Sequence, residues 1–312
     1  MQFSLLKSYT VHNWRDLSPI SGLLAMGNFD GVHLGHRSLI QEAKKQGEVT
    51  ILTYSPHPAI ALGRVKSSFL LTTDTEKQSL LNSLSVKNII FINFNLEVSN
   101  MLPDTFAKEV IKERLNPDRV IIGYDHHFGK GRKGTPDYLQ SLGESLGFEV
   151  IVYPEVRVNG EAVKSTVIRE LIHEGEMEVV PKLLGCTYSI SGTVSKGHGL
   201  GEELGYPTAN IKLDTEYKLL PPNGVYSSIV RIKQGDFPAM LYIGSSPTHG
   251  IEERKIELHL IDFTGDLYEQ RIECDVYSFI RKVKCFSSKE LLKESIKRNK
   301  EEVMKTLKEV YK

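Results

Sequence analysis

The sequence predicts an α/β unit built on a doubly wound parallel sheet, followed by a small antiparallel β-barrel that ends in C-terminal helices. Three observations lead there. The chain has 312 residues, about twice the roughly 150 residues of one domain. From Leu23 to about Tyr153, short apolar runs alternate with helix-like stretches, the pattern of a parallel sheet flanked by helices. From about Thr187 the texture changes to short strands punctuated by Gly, Pro and Asn, the pattern of an antiparallel module. A helical stretch from Glu176 runs into Gly185 just before that change, so the expected domains are residues 1–185 and 186–312.

In the first half the expected strands are Leu23 to Met26, Val49 to Thr53, Asn88 to Phe91, Arg119 to Ile122 and Glu149 to Tyr153. Helices between them start near Leu34, Thr75, Asp104 and Thr135, the last three after the cap-like pairs Thr73/Asp74, Pro103/Asp104 and Thr135/Pro136. In the second half the expected strands are Tyr188 to Val194, Gly224 to Ile232, Met240 to Ile243, Lys255 to Asp262 and Gln270 to Phe279. Between Ser288 and Tyr311 the apolar Leu291, Leu292, Ile296, Val303, Leu307 and Val310 recur near helical spacing, which predicts one or two terminal helices.

Composition narrows the function. The apolar share is 40% and the charged share 25%, near the averages of folded globular chains, which sets aside disordered, collagen-like and disulfide-framework classes. Lys plus Arg equal Asp plus Glu at 39 each, so no net positive charge draws a nucleic acid or an anionic membrane. Cys186, Cys274 and Cys285 are odd in number and lack Cys-x-x-Cys spacing; they predict packing residues in a reducing cytosol, not a zinc site. No segment approaches the roughly 20 apolar residues that span a bilayer, and the start has no apolar core of signal-peptide length. A cytoplasmic enzyme of small molecules is expected, and the sequence does not fix its oligomeric state.

Past the first expected strand runs Gly27-Asn28-Phe29-Asp30-Gly31-Val32-His33-Leu34-Gly35-His36, leading into an amphipathic helix. In an open α/β sheet, ligands bind in the crevice beyond the carboxyl ends of the strands. Gly27, Gly31 and Gly35 let the backbone turn tightly and approach a phosphate, and the free N–H groups of a helix start favour an anion. His33 and His36, three apart, share a face on a helix and can reach triphosphate oxygens together. An isolated His-x-x-His is commonly a capped turn with two surface histidines; the glycine punctuation at a strand end is what points to a nucleotide here.

This string resembles the signature of nucleotidylyltransferases of the HxGH class and, more narrowly, the GNFDGVHLGH form typical of bacterial bifunctional riboflavin kinase/FAD synthetases. Three further matches follow in family order. Thr53-Tyr54-Ser55-Pro56-His57-Pro58 is similar to the family's second loop, Gly123-Tyr124-Asp125-His126-His127-Phe128-Gly129 to its fourth-strand motif, and Ser165-Thr166-Val167-Ile168-Arg169 to its SSTxIR motif, with Lys164 where a serine is usual. The resemblance implies that Gly27, Asn28, Phe29, Asp30, Gly31, Gly35, His57, Asp125, Ser165 and Thr166 hold nucleotide and flavin, and that His33, His36 and Arg169 serve catalysis. The implied reaction is attack of the FMN phosphate on the α-phosphorus of ATP, releasing pyrophosphate. The nucleophile arrives ionised, so positioning and charge stabilisation, with Mg²⁺, outweigh general-base work. Ser165 and Thr166 also read as an ordinary N-cap, Asp125 as a solvated loop carboxylate, and His57 as an imidazole exposed on a rigid loop.

The second half carries Lys196-Gly197-His198-Gly199-Leu200-Gly201 between strands, a glycine-rich turn able to arch over phosphates through Gly197, Gly199 and Gly201. Close behind comes Leu204-Gly205-Tyr206-Pro207-Thr208-Ala209-Asn210-Ile211. Thr208 and Asn210, two apart, point the same way in an extended segment and offer hard oxygens to one Mg²⁺. This segment resembles the PTAN motif of riboflavin kinases. Lys255 to Ile261 alternates, with Glu257 and His259 on one face and Ile256, Leu258 and Leu260 on the other. Glu257 matches the family's catalytic glutamate, similar in role to a base taking the proton of the riboflavin 5′-hydroxyl as it attacks the γ-phosphorus. Asn223-Gly224-Val225-Tyr226 and Ile280-Arg281 resemble positions near nucleotide and flavin, although Arg281 reads equally as a surface residue.

The expectation is a bifunctional enzyme using ATP and Mg²⁺, with riboflavin, FMN and FAD as substrates and products. Relatives commonly carry arginines around the glycine loop, where this chain has Leu200 and Glu202, and an Arg or Asn before the proline of Ser246-Pro247-Thr248. Less positive charge beside a triphosphate weakens the grip on ATP. The alternative is therefore an FAD synthetase whose kinase module is weak or silent and only binds flavin.

Overall fold

The computed structural model describes residues 9–196, 200–203, 205–248, 251–308 and 310. The chain divides into two compact units that adjoin in sequence at Ser165 and Thr166.

The first unit holds strands β1 (Val11–His12), β2 (Leu23–Met26), β3 (Val49–Ser55), β4 (Asn88–Asn93), β5 (Arg119–Gly123) and β6 (Glu149–Tyr153). All pairs are parallel, in spatial order β1-β4-β3-β2-β5-β6. The chain builds outward from β2 through β3 to β4, then returns to the far side of β2 to add β5 and β6. That is the doubly wound plan, with its turnaround between β2 and β5. Alternate residues of the central strands feed opposite cores, as a period of two requires. Leu24, Met26, Leu52, Val120 and Ile122 join Phe106, Val110 and Leu139 on one face. Leu23, Ala25, Ile51 and Ile121 join Leu39, Ile40 and Leu81 on the other.

The helices start close to the expected positions. Leu34–Lys45 follows β2. Asp74–Ser83 opens on a capping box, in which the Thr73 hydroxyl accepts from the Glu76 backbone N–H and the Glu76 carboxylate accepts from that of Thr73, worth about 1 kcal/mol. Thr135 caps Pro136–Leu146. The pair Pro103/Asp104 needs correction as a cap: Leu102 is the N-cap and Pro103 occupies the first helical turn, where its missing N–H leaves nothing unpaired. That helix continues as the π-helical Phe106–Leu115 and stops where Asn116 turns left-handed. Strand β1 and the hairpin of β7 (Arg157–Val158) and β8 (Glu161–Ala162) escape the sequence reading, because two residues show no alternation.

In the second unit the helix Val180–Leu184 ends at Gly185, left-handed at φ 75°. Strands β9 (Tyr188–Ser195), β10 (Ala209–Leu213), β11 (Gly224–Ile232), β12 (Gly235–Thr248), β13 (Ile251–Leu260) and β14 (Arg271–Lys282) close a six-stranded antiparallel barrel in the order β9-β10-β13-β12-β11-β14. Strand β13 stops short of the expected Asp262, which is left-handed at φ 58°. A single terminal helix forms, Lys289–Leu307, capped by Ser288. Its Val303 and Leu307 pack on Ile229, Met240 and Ile261. Cys274 is buried but Cys285 is exposed, so not all three cysteines are packing residues.

Candidate functional site

Two constellations emerge, one at the parallel sheet and one on the barrel. In the first, Ala25 of β2 lies opposite Ile121 of β5. The turns that begin at Gly27 and Gly123, two residues on, therefore leave neighbouring strands at one level, about 4.8 Å apart.

The β2 turn adopts conformations that side chains rarely take: Phe29 at φ 49°, Gly31 at φ 81° and Val32 at φ 41°. A bulky or β-branched residue there costs about 1–3 kcal/mol. Burial of Phe29 and Val32 in the core offsets it, as does a clamp on the backbone. The Asp30 carboxylate accepts from Leu71 N at 3.2 Å, Thr72 N at 3.0 Å and Thr72 Oγ1 at 3.3 Å, while Thr72 Oγ1 accepts from Gly31 N at 3.0 Å. Asp30 is 2% exposed, so its charge is engaged in holding the turn. Thr53 Oγ1 donates to Asn28 O at 3.0 Å, and Ser165 Oγ donates to Asp30 O at 3.1 Å.

His33 is the N-cap of the helix Leu34–Lys45 and not a helical residue; its Nδ1 accepts from His36 N at 3.4 Å. Cap geometry, and not a shared helix face, brings the imidazoles together. Their rings stack with centroids 3.6 Å apart and planes 16° from parallel. A side chain at Gly35 would come within 3.1 Å of the His33 ring, so the stacked imidazole would have to shift to admit one. Burial first, then the neighbouring His33 and Lys77, hold the His36 pKa well below the usual imidazole range. His36 Nδ1 is buried without a hydrogen-bond partner, which in a native fold asks for an explanation such as a ligand.

Sequence reasoning missed Lys77. It arrives from the helix Asp74–Ser83, is 2% exposed, pairs with Asp74 at 3.3 Å and lies 5.4 Å over the Phe91 ring. Only tertiary packing sets this buried cation beside His36. His57 is buried rather than exposed on its loop: Nδ1 accepts from Ala59 N at 3.1 Å and the ring meets Phe69 edge-on at 5.2 Å. Asp125 is exposed on the β5 turn. On the helix Ser165–Glu174, Thr166 is exposed and Arg169 half-buried.

In the barrel, residues directly opposite on antiparallel strands share a face. Asn210 lies opposite Glu257, Glu257 opposite Tyr242, Tyr242 opposite Val225 and Val225 opposite Arg281. These residues form one row across β10, β13, β12, β11 and β14. The alternate residues Ile256, Leu258, Leu241 and Ile243 are buried, and Met240, two along from Tyr242, packs under the terminal helix; the row is thus on the outside of the barrel. Arg281 Nε donates to Asn299 Oδ1 of that helix at 3.0 Å. Burial first, then the Glu257 charge, raise the Tyr242 phenol, which keeps it a proton donor. Its ring lies over Gly244, where a Cβ would be 2.2 Å from the phenol oxygen.

Thr208 precedes Asn210 by two residues, and a Cβ on Gly201 would come 3.1 Å from Thr208 Oγ1 and 2.4 Å from Tyr206 O. His259 Nδ1 is 2.9 Å from Pro207 O. Tyr226 falls outside the row: it lies opposite Leu241 and its hydroxyl donates to Pro222 O at 2.6 Å. A cavity of about 840 Å³ lined by Asn223, Tyr226 and Phe279 touches none of Thr208, Asn210 and Glu257. Gly197 and Gly199, with the side chains of Leu200, Glu202 and Ser246, lie outside the described residues. Among the described residues no cluster of three His, Cys, Asp or Glu could hold a metal. Thr208 and Asn210 instead offer two hard oxygens, a partial set of the kind Mg²⁺ takes when phosphates and water complete its shell.

The family model described as FAD synthetase matches residues 18–167, and the one described as riboflavin kinase matches residues 184–307. A bifunctional riboflavin kinase/FMN adenylyltransferase from Buchnera aphidicola subsp. Schizaphis graminum is 35% identical, covering 95% of this chain and 96% of its own. One of the same description from Listeria monocytogenes is 31% identical, covering 87% of each. A crystal structure described as a macrolide-efflux protein from Streptococcus pneumoniae superposes with a TM-score of 0.83 at 28% identity, covering 93% of this chain and 96% of that one. The efflux in that description finds no counterpart in the described helices here, none of which is long and apolar enough to cross a membrane.

Proposed function

The chain belongs to the family of bifunctional riboflavin kinases/FMN adenylyltransferases, and from that premise we propose that it phosphorylates riboflavin to FMN and then adenylylates FMN to FAD, with ATP as the donor in both steps. We place adenylylation in residues 1–185 and phosphorylation in residues 186–312, in a cytosol that leaves the three cysteines free. One observation supports this most: the string Gly27 to His36 leaves the end of β2 in the parallel sheet, while Asn210 lies opposite Glu257 on the barrel.

In adenylylation a phosphate oxygen of FMN forms a bond to the α-phosphorus of ATP as the bond to the bridging oxygen breaks and pyrophosphate leaves. His36, kept neutral by burial and then by its neighbours His33 and Lys77, and His33 stacked on it give N–H donors to phosphate oxygens. The start of the helix Leu34–Lys45 adds backbone donors through the turn Gly27, Asn28, Phe29, Asp30, Gly31 and Gly35. By their resemblance to the family's SSTxIR motif, Ser165, Thr166 and Arg169 are assigned to the departing phosphates. His57 and Asp125 line the flavin and ribose side.

In phosphorylation Glu257 takes the proton of the riboflavin 5′-hydroxyl as that oxygen attacks the γ-phosphorus and ADP leaves. Thr208 and Asn210 would hold Mg²⁺, which when bound neutralises phosphate charge. By the same resemblance Gly197, Gly199 and Gly201 are assigned to the nucleotide, with Tyr226 and Arg281 beside it.

Joint replacement His33→Ala and His36→Ala is expected to stop FAD formation from FMN while FMN formation from riboflavin continues. Glu257→Ala is expected to do the reverse, by about 10²–10⁴-fold in FMN formation. Chromatography of the flavins separates the outcomes, and a folded variant that loses both activities defeats the two-site reading.

A further inference from the structure

The β5 turn carries a feature that neither set absorbs. Residues 126–136 contain Lys130, Arg132 and Lys133 and no acidic residue, in a chain whose charges balance as a whole. The three cations are exposed on a turn that is tightly pinned. Phe128 and Gly134 exchange both backbone hydrogen bonds, at 3.1 and 3.0 Å, and Lys130 N donates to Met101 O at 2.7 Å. A Cβ on Gly134 would meet the Phe128 ring at 2.5 Å, and one on Gly129 would meet Pro103 at 2.8 Å. Arg132 itself is held left-handed at φ 60°, a conformation that costs a non-glycine residue about 1 kcal/mol or more.

Arg132 is the best placed of the three. Its Nη2 lies 3.3 Å from His127 Nδ1, and that same nitrogen lies 2.9 Å from Asp125 O. One tautomer serves the carbonyl and the other serves the guanidinium, so the two contacts exclude each other and leave the five-donor fork of Arg132 largely uncommitted. None of Lys130, Arg132 and Lys133 forms an ion pair with a carboxylate among the described residues. Beside them His126 Nε2 is buried without a partner. Burial, then His127 and Arg132, lower this imidazole to about 4, so it faces a ligand uncharged.

We propose that the turn Gly129–Gly134 holds the phosphate monoester of the flavin substrate, through Arg132 with Lys130 and Lys133 in support. The inference rests on the adenylylation reading above. In that reading a dianionic phosphate must approach a triphosphate, and the β2 turn already serves the triphosphate. Cations on the turn that follows the neighbouring strand β5 would offset the repulsion, and a guanidinium fork matches a phosphate monoester in two parallel hydrogen bonds. The phosphate is the only strongly acidic group on the flavin, so the contact would set apart FMN from riboflavin.

The test is steady-state FAD formation by the full-length protein. Arg132→Met is expected to raise the KM for FMN about tenfold to a hundredfold, the range for one charge-assisted contact, with the KM for ATP and riboflavin phosphorylation unchanged. Arg132→Lys should restore part of the loss, and Lys130→Met with Lys133→Met should add a smaller rise. A rise confined to the KM for ATP, a fall in kcat alone, or no change in a folded variant each overturns the assignment. Wild-type protein that makes no FAD from FMN would instead defeat the adenylylation reading itself.

Discussion

The two sites are built by different means. In the α/β unit the candidate groups sit on turns beyond the strand ends, where backbone conformation aims them: a left-handed Phe29 and Val32, a capping His33, a clamp by Asp30. In the barrel the groups sit on the strands, and register alone lines up Asn210, Glu257, Tyr242 and Arg281. A turn site depends on a few local hydrogen bonds and tolerates little backbone change. A strand site is carried by a closed hydrogen-bonded ladder and depends on which side chains face one another.

That contrast can be broken or sharpened, beginning with the row. Asn210→Ala should lower FMN formation about 10²–10³-fold, the scale of losing one fixed polar contact to a reacting group, while the thermal melt stays put because the ladder is untouched. Asp30→Ala should do the converse. It removes three hydrogen bonds to a buried carboxylate, costs about 3 kcal/mol of folding free energy, and takes FAD formation with it; denaturant unfolding followed beside both assays checks the pairing. Gly244→Ala should push the Tyr242 ring off the row, since the new Cβ would meet it at 2.2–2.6 Å. A loss of about tenfold to a hundredfold in riboflavin phosphorylation alone is expected, and an unchanged rate would show that Tyr242 is idle.

The smallest effect is on pH. His126 falls from 6.5 to about 4 on folding, so the unfolded chain binds a proton more readily. Stability is then full above pH 6.5 and declines as pH falls through the interval down to about 4. His126→Phe should flatten that decline in thermal melts taken across it, with little change near neutrality.

Much of this was legible in the sequence. Short apolar runs alternating with helical stretches, then short strands between Gly and Pro, gave both sheets, because burial on both faces and on one face leave different periodicities. The string Gly27 to His36 was legible because its glycines and histidines are contiguous, although Thr53, Leu71, Thr72 and Ser165 hold the turn from elsewhere in the chain. Glu257 showed through alternation along β13. Lys77 did not, because a lysine on an amphipathic helix looks the same whether it ends in solvent or beside His36. Tyr242 did not either, since nothing local to Met240–Ile243 says which strand will lie beside it.

The sequence by itself determined the two sheets, the glycine turn and the candidate carboxylate, since these rest on propensity, spacing and the conformations glycine permits within a few residues. Only the tertiary structure decided the stacking of His33 on His36, the cation behind them, the facing of Asn210 with Glu257, and the pinned turn that presents Arg132. Each of those depends on contacts between segments far apart in the chain, where register and packing, and not local preference, set which groups meet.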